Sequence, residues 1–133
     1  MPPLPITAFT TACLAMLLFT LSARVLVLRI RLSQPLGDGG HARLARAVRV
    51  QGNFTEYVPM ALLLMLLMEW RGVPAAALQT YGVALVLARS LHAVGVSQLE
   101  ERLVWRGIST ALTLMLLSGG AVALMWSSWT RAA

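Results

Sequence analysis

Four long stretches almost free of charge dominate this sequence and leave few folds open to it. Residues 1–23 carry no charged side chain, and Leu4–Ala23 forms a first apolar run. Ala45–Trp70 forms a second, with an uncharged centre at Tyr57–Met68. Val73–Val96 is broken only by Arg89 and His92, and Gly107–Thr130 carries no charge at all. A bilayer core of about 30 Å is crossed by about 20 apolar helical residues, so each run predicts a membrane-spanning helix. The runs lack two-residue alternation and are rich in Leu, Ala and Met, which argues against the strands of a membrane barrel. The composition agrees: 12% of the residues are charged, against about a quarter in an ordinary soluble domain. The expected fold is all-α, an integral membrane four-helix bundle in one domain spanning 1–133.

The charges that remain are mostly basic. There are 11 basic residues, all arginine, against five acids, for a net charge of +6. Most arginines lie within or beside apolar runs rather than on a polar surface, so no nucleic-acid partner is expected. One cysteine, Cys13, excludes an internal disulfide and a cysteine metal cluster. With no histidine partner beside His92 in sequence, no metal is expected. The first run has no basic residue before it and arginines after it, the reverse of a secretory signal, so it is read as a retained helix.

The connections differ sharply in charge. The first contains Arg24, Arg29, Arg31, Arg43, Arg46 and Arg49 against Asp38, and holds the Gly-rich turn Leu36–His41. The second is the short Arg71-Gly72-Val73-Pro74, and the third carries Arg102 and Arg106 beside Glu100 and Glu101. Basic loops stay in the cytoplasm. That rule puts the first and third connections inside and both termini outside, with Trp70, Trp126 and Trp129 at the outer interface.

The second run carries polar groups that a membrane helix does not normally tolerate. Arg46, Arg49, Asn53 and Glu56 fall within an arc of about 80° at 100° per residue. A charge near mid-membrane costs about 2.5–3.5 kcal/mol even on a lenient scale. These side chains must therefore face each other or a polar cavity. Arg89 and His92 share a face of the third helix. Arg102 and Arg106 open the fourth, followed on that face by Thr110 and Thr113. Three polar stripes thus point to one cytoplasm-facing pocket. Arginine's planar fork suits carboxylates and phosphates, and a lone carboxylate suits an ammonium. Glutathione fits this arrangement, as an amino acid or a phosphorylated headgroup would.

The second helix, Arg49-Val50-Gln51-Gly52-Asn53-Phe54-Thr55-Glu56-Tyr57-Val58-Pro59, resembles the signature of the membrane-associated proteins in eicosanoid and glutathione metabolism (MAPEG), and most closely their small bacterial branch. Gly37-Asp38-Gly39-Gly40, Ala88–Gly95 and Arg106-Gly107 are similar to the same branch. The resemblance implies a homotrimer in a bacterial inner membrane, with glutathione as bound co-substrate in a cleft between neighbouring subunits. It implies that Arg49, Asn53, Glu56 and Tyr57 bind glutathione, helped by Arg29 or Arg31 from the first helix. Arg89, His92 and Arg102 join this binding set from the polar stripes. Arg106 matches the arginine that stabilises the thiolate, so the nucleophile is the co-substrate's sulfur and the partner a lipophilic electrophile. One position departs: Val96 stands where eicosanoid-making members carry a tyrosine, and valine has no hydrogen to donate. A glutathione-dependent transferase or peroxidase is the leading reading, with a noncatalytic binding or scaffold protein of the same fold beside it. A small cation exporter needs an acid in the first helix, which is absent.

Overall fold

A computed structural model of the chain describes residues 4–97 and 103–132. It contains four helices: α1, Pro5–Leu32; α2, Ala42–Trp70; α3, Ala75–Ser97; and α4, Leu103–Ala132. The all-α four-helix architecture is the expected one. Helices α2 and α3 form the centre; α1 packs on both, and α4 packs on both from another side, while α1 and α4 do not meet among the described residues. Leu14, Met65, Leu78 and Leu85 are fully buried where α1, α2 and α3 join.

This placement explains how apolarity is distributed. Among the described residues, Pro5–Leu32 and Val104–Trp129 are long and apolar enough to cross a membrane. These are the outer helices, and they expose large side chains such as Phe9, Phe19, Ile30, Met115 and Met125. Helices α2 and α3 turn most of their surface to protein and can hold polar groups. They do not reach the same apolar standard over one window.

Helix α1 also outlasts its apolar run. It continues past Ala23 to Leu32 and ends at Ser33 in the left-handed region, φ 51°. At 1.5 Å per residue its 28 residues span about 42 Å, more than a hydrocarbon core. Arg29 lies on the excess length, where its Nη1 donates to the carbonyls of Gln34, Pro35 and Gly37 at 3.2, 3.2 and 2.9 Å. The Gly-rich stretch is a turn, with positive φ at Gly37, Gly39 and Gly40, and Asp38 accepts from the Gly40 amide at 2.9 Å.

At the opposite end of the bundle, Glu69 in the last turn of α2 reaches the start of α1. Its two carboxylate oxygens accept the Ile6 and Thr7 amides at 3.0 and 2.7 Å. The first amides of a helix have no partner within it, and an anion there also meets the positive end of the helix dipole. Glu69→Ala should therefore lower resistance to unfolding by about 1–2 kcal/mol, as a lost helix cap does. Glu69→Gln should recover part of that loss. Denaturant titration in detergent measures both, and equal stability of all three proteins would remove the cap from the account.

Candidate functional site

The polar residues of three helices meet at a cavity of about 800 Å³ opening at the end of the bundle that carries the basic α1–α2 turn. Helix α2 contributes Arg46, Arg49, Asn53 and Tyr57; α3 contributes His92 and Val96; and α4 contributes Arg106, Thr110 and Leu114. The helical periods bring this about. Arg46, Asn53 and Tyr57 follow one another at seven and four residues along one face, as Arg106 and Thr110 do at four.

Behind the cavity lies a buried network. Arg89 is 2% exposed. Its Nη1 donates to Asn53 Oδ1 at 2.8 Å and its Nη2 to Thr113 Oγ1 at 2.6 Å. The guanidinium carbon sits 5.8 Å from the centre of the Tyr57 ring, within the range of a cation–π contact. Thr113 Oγ1 donates in turn to the Ser109 carbonyl at 2.9 Å, and Ser109 Oγ donates to the Arg106 carbonyl at 3.0 Å. His92 Nδ1 lies 3.3 Å from Ser109 Oγ. The chain of bonds ties α2, α3 and α4 together around the pocket wall. Arg89 Nε is buried without a partner.

Because Asn53 Oδ1 accepts from Arg89, the amide nitrogen of Asn53 is the group left to serve a ligand. It offers two donors, which suit a carboxylate or carbonyl oxygen. Arg49 and Arg106 are both exposed at the cavity. The site can therefore hold an acidic group against its arginines and an apolar group against Val96, Ala111 and Leu114.

The remaining residues singled out in the sequence take other places. Arg89 is not a cavity residue: its buried fork serves Asn53 and Thr113, and not Glu56. Glu56 points outward and pairs with Arg49 at 3.6 Å, with side chains 52% and 68% exposed. The stripe on α2 is thus divided, since Asn53 faces the neighbouring helices, Arg49 reaches the cavity, and Glu56, paired with Arg49, lies outside the cavity lining. Arg29 braces the turn and borders a shallow groove shared with Arg49. Arg31 lies in a separate open groove with Arg24, Arg43, Thr20 and Phe19. Arg102 falls outside the described residues. Cys13 is half-buried in an apolar groove between α1 and α3, away from the basic cluster.

Arg46 lines the cavity, as its stripe predicts. One member of the surrounding network escaped the sequence reading: Ser109, which links His92 to α4. The signal for Ser109 was present: Arg106, Ser109 and Thr113 recur at three and four residues, the period of one helical face.

The sequence matches the MAPEG family over residues 7–126. It is also similar to the inner membrane protein YecN of Escherichia coli K12 and to that of Escherichia coli O6:H1. Each is 38% identical over 109 residues, covering 78% of this chain and 82% of the relative. No solved structure matches.

Proposed function

The chain belongs to the MAPEG family of membrane proteins, and from that premise we propose that it is a glutathione-dependent enzyme of transferase or peroxidase type, acting on lipophilic electrophiles. The observation that carries this reading is the mixed lining of the cavity. Arg46, Arg49, Asn53 and Arg106 bring cations and amide donors to it, and Val96, Ala111 and Leu114 bring apolar surface. Glutathione brings two carboxylates, an ammonium and a thiol. Its carboxylates suit the arginines and the Asn53 amide, and its ammonium suits Glu56, which pairs with Arg49 at the cavity's edge. The lipophilic partner reaches the apolar side chains of the cavity from the acyl region, where such compounds concentrate.

The outward faces support assembly as a homotrimer. An Arg49–Glu56 pair more than half exposed on a transmembrane helix is costly against lipid. A neighbouring subunit that covers it removes this cost. The groove bearing Arg24, Arg31 and Arg43 lies on another face of the same chain. Two different faces that meet head to tail generate a closed ring when each copy is turned by a third of a revolution from the last. In such a ring Arg31 of one copy sits beside the cavity of the next, which gives it a place in glutathione binding that it lacks within one chain. The basic α1–α2 turn faces the cytoplasm and both termini face outward, as the arginine distribution requires.

Val96 favours a second reading, a noncatalytic binding protein, because the cavity offers no hydroxyl at that position. Purified protein in mild detergent separates the two. The enzyme reading expects glutathione binding by calorimetry and conjugation of glutathione to an aryl halide, with three copies by native mass spectrometry. Binding without conjugation selects the noncatalytic protein. No binding overturns both, and monomers or dimers alone overturn the trimer.

A further inference from the structure

We infer that the groove bearing Arg24, Arg31 and Arg43 is a binding site for an anionic phospholipid of the cytoplasmic leaflet. The inference uses the orientation proposed above and does not depend on glutathione. The groove has a volume of about 660 Å³, and apolar side chains including Phe19, Val27 and Leu28 share its lining with the three arginines. No carboxylate is among its lining residues. Arg24 and Arg31 stand seven residues apart on one face of α1, about 10 Å along its axis. Measured from Pro5 at the outer end, Arg24 lies about 29 Å along the helix, close to the thickness of the hydrocarbon core. Arg31 then lies at the far side of the headgroup layer, and Phe19 about 8 Å inside the core edge. The groove thus runs from an aromatic ring at acyl depth to cations at phosphate depth.

Helix α2 brings Arg43 to the same place. Leu44 beside it is fully buried in a small cluster with Val25 and Ala47, against which Leu28 packs. The first turn of α2 is therefore fixed against the last turns of α1. That turn has neither a side-chain cap nor an acid, so the positive end of the helix dipole adds to the three cations. Arg29 takes no part, because its guanidinium serves the carbonyls of the turn. A phosphodiester suits this set: guanidinium forks offer paired donors to its free oxygens. One acyl chain of the lipid lies on Phe19 and Val27, which are 66% and 45% exposed. Basic pockets on the cytoplasmic side of helix bundles attract anionic headgroups in this way. In the ring proposed above, the groove meets the Arg49–Glu56 pair of the next copy. The carboxylate of that pair arrives with an arginine of its own, so the seam holds four arginines against one acid. A lipid phosphate fits between them.

Native mass spectrometry of the full-length protein in mild detergent tests this, with phosphatidylglycerol and phosphatidylethanolamine of identical chains as probes. Both carry the phosphate, but the second adds an ammonium that the arginines repel. One basic side chain near an anionic lipid is worth about fivefold in affinity. Phosphatidylglycerol should therefore bind at least about fivefold tighter than phosphatidylethanolamine. Arg31→Gln and Arg43→Gln should each weaken its binding about fivefold, and the double variant by more than either alone. Arg31 and Arg43 are exposed, so neither substitution opens the core; the single variants carry the comparison if the double one does not assemble. Arg71→Gln removes one charge at the opposite end and should leave lipid binding unchanged. Inorganic phosphate in excess should not displace the lipid. Equal binding of the two lipids, unaltered binding in both single variants, or an equal loss in Arg71→Gln overturns the site. Displacement by inorganic phosphate overturns the lipid as its occupant. Glutathione affinity, measured on the same preparations, should be unchanged in Arg43→Gln. Wild-type protein that holds phosphatidylglycerol in this pattern but does not bind glutathione overturns the enzyme reading and leaves the lipid site standing.

Discussion

Arg89→Met is expected to leave the protein about as resistant to unfolding as the wild type while weakening glutathione binding about tenfold or more. Two opposing terms decide the first half. Arg89 is a fully buried cation whose bonded partners are neutral, Asn53 and Thr113. Desolvating an ion costs several kcal/mol, and replacing buried charge by a well-packed apolar side chain is often neutral or stabilising. Against this, the substitution leaves Asn53 Oδ1 unpaired, at about 1–3 kcal/mol, and takes a donor from Thr113 Oγ1, which keeps its own bond to the Ser109 carbonyl. The terms are of similar size, so the net change should lie within about 2 kcal/mol of zero. Arg89→Ala differs, since it adds an empty volume and should cost about 2–5 kcal/mol more than Arg89→Met. The second half follows from orientation. Without Arg89 the Asn53 amide is free to turn, and its two donors are no longer fixed toward the cavity. A factor of ten in affinity corresponds to about 1.4 kcal/mol, a reasonable cost for one misdirected polar contact. Denaturant titration and calorimetry on the same preparation check both halves. Unchanged affinity in Arg89→Met would detach this network from ligand binding.

The fold was legible because its strongest determinant is one-dimensional. Four apolar runs with arginines between them specify four helices, and Gly72 turns the chain within the expected Arg71–Pro74 connection. What the runs could not give was the length of α1. An arginine such as Arg24 or Arg29 ends an apolar run without ending a helix, since arginine is a good helix former. The site was legible as a stripe on each helix, and periodicity named most of the side chains around the cavity. Periodicity does not say which neighbour each residue faces. Asn53 and Glu56 share an arc on α2, yet one turns toward α3 and the other outward, because the direction depends on where α3 and α4 pack. The partner of Arg89 was equally hidden. Glu56 is the obvious carboxylate in sequence, whereas Asn53 lies 36 residues away and is neutral. Glu69 was passed over because its role depends on the start of α1, 63 residues distant.

Arg106→Leu is expected to slow conjugation at neutral pH by about 10- to 100-fold while reducing glutathione affinity less than Arg49→Leu does. Arg106 lies in the first turns of α4, at the cavity. A fixed cation favours the ionised form of a nearby thiol, and an ordinary thiol ionises near pH 8.5. Because Arg106 is exposed, solvent screens its field, and the bound thiol should be shifted down by about one to two pH units rather than more. Below that pH each unit is a factor of ten in thiolate, which sets the expected loss. The loss stops short of complete inactivity because the start of α4 remains: amides at a helix N-terminus also favour an anion. Arg49 differs in kind. It can meet a carboxylate that is charged before and during reaction alike, so its removal weakens binding without changing sulfur ionisation. The thiolate absorbance of the bound peptide against pH separates the cases. It should move upward in Arg106→Leu and stay in place in Arg49→Leu. A titration unmoved in Arg106→Leu would show that the thiol lies elsewhere in the cavity and would end the assignment of Arg106 to the sulfur.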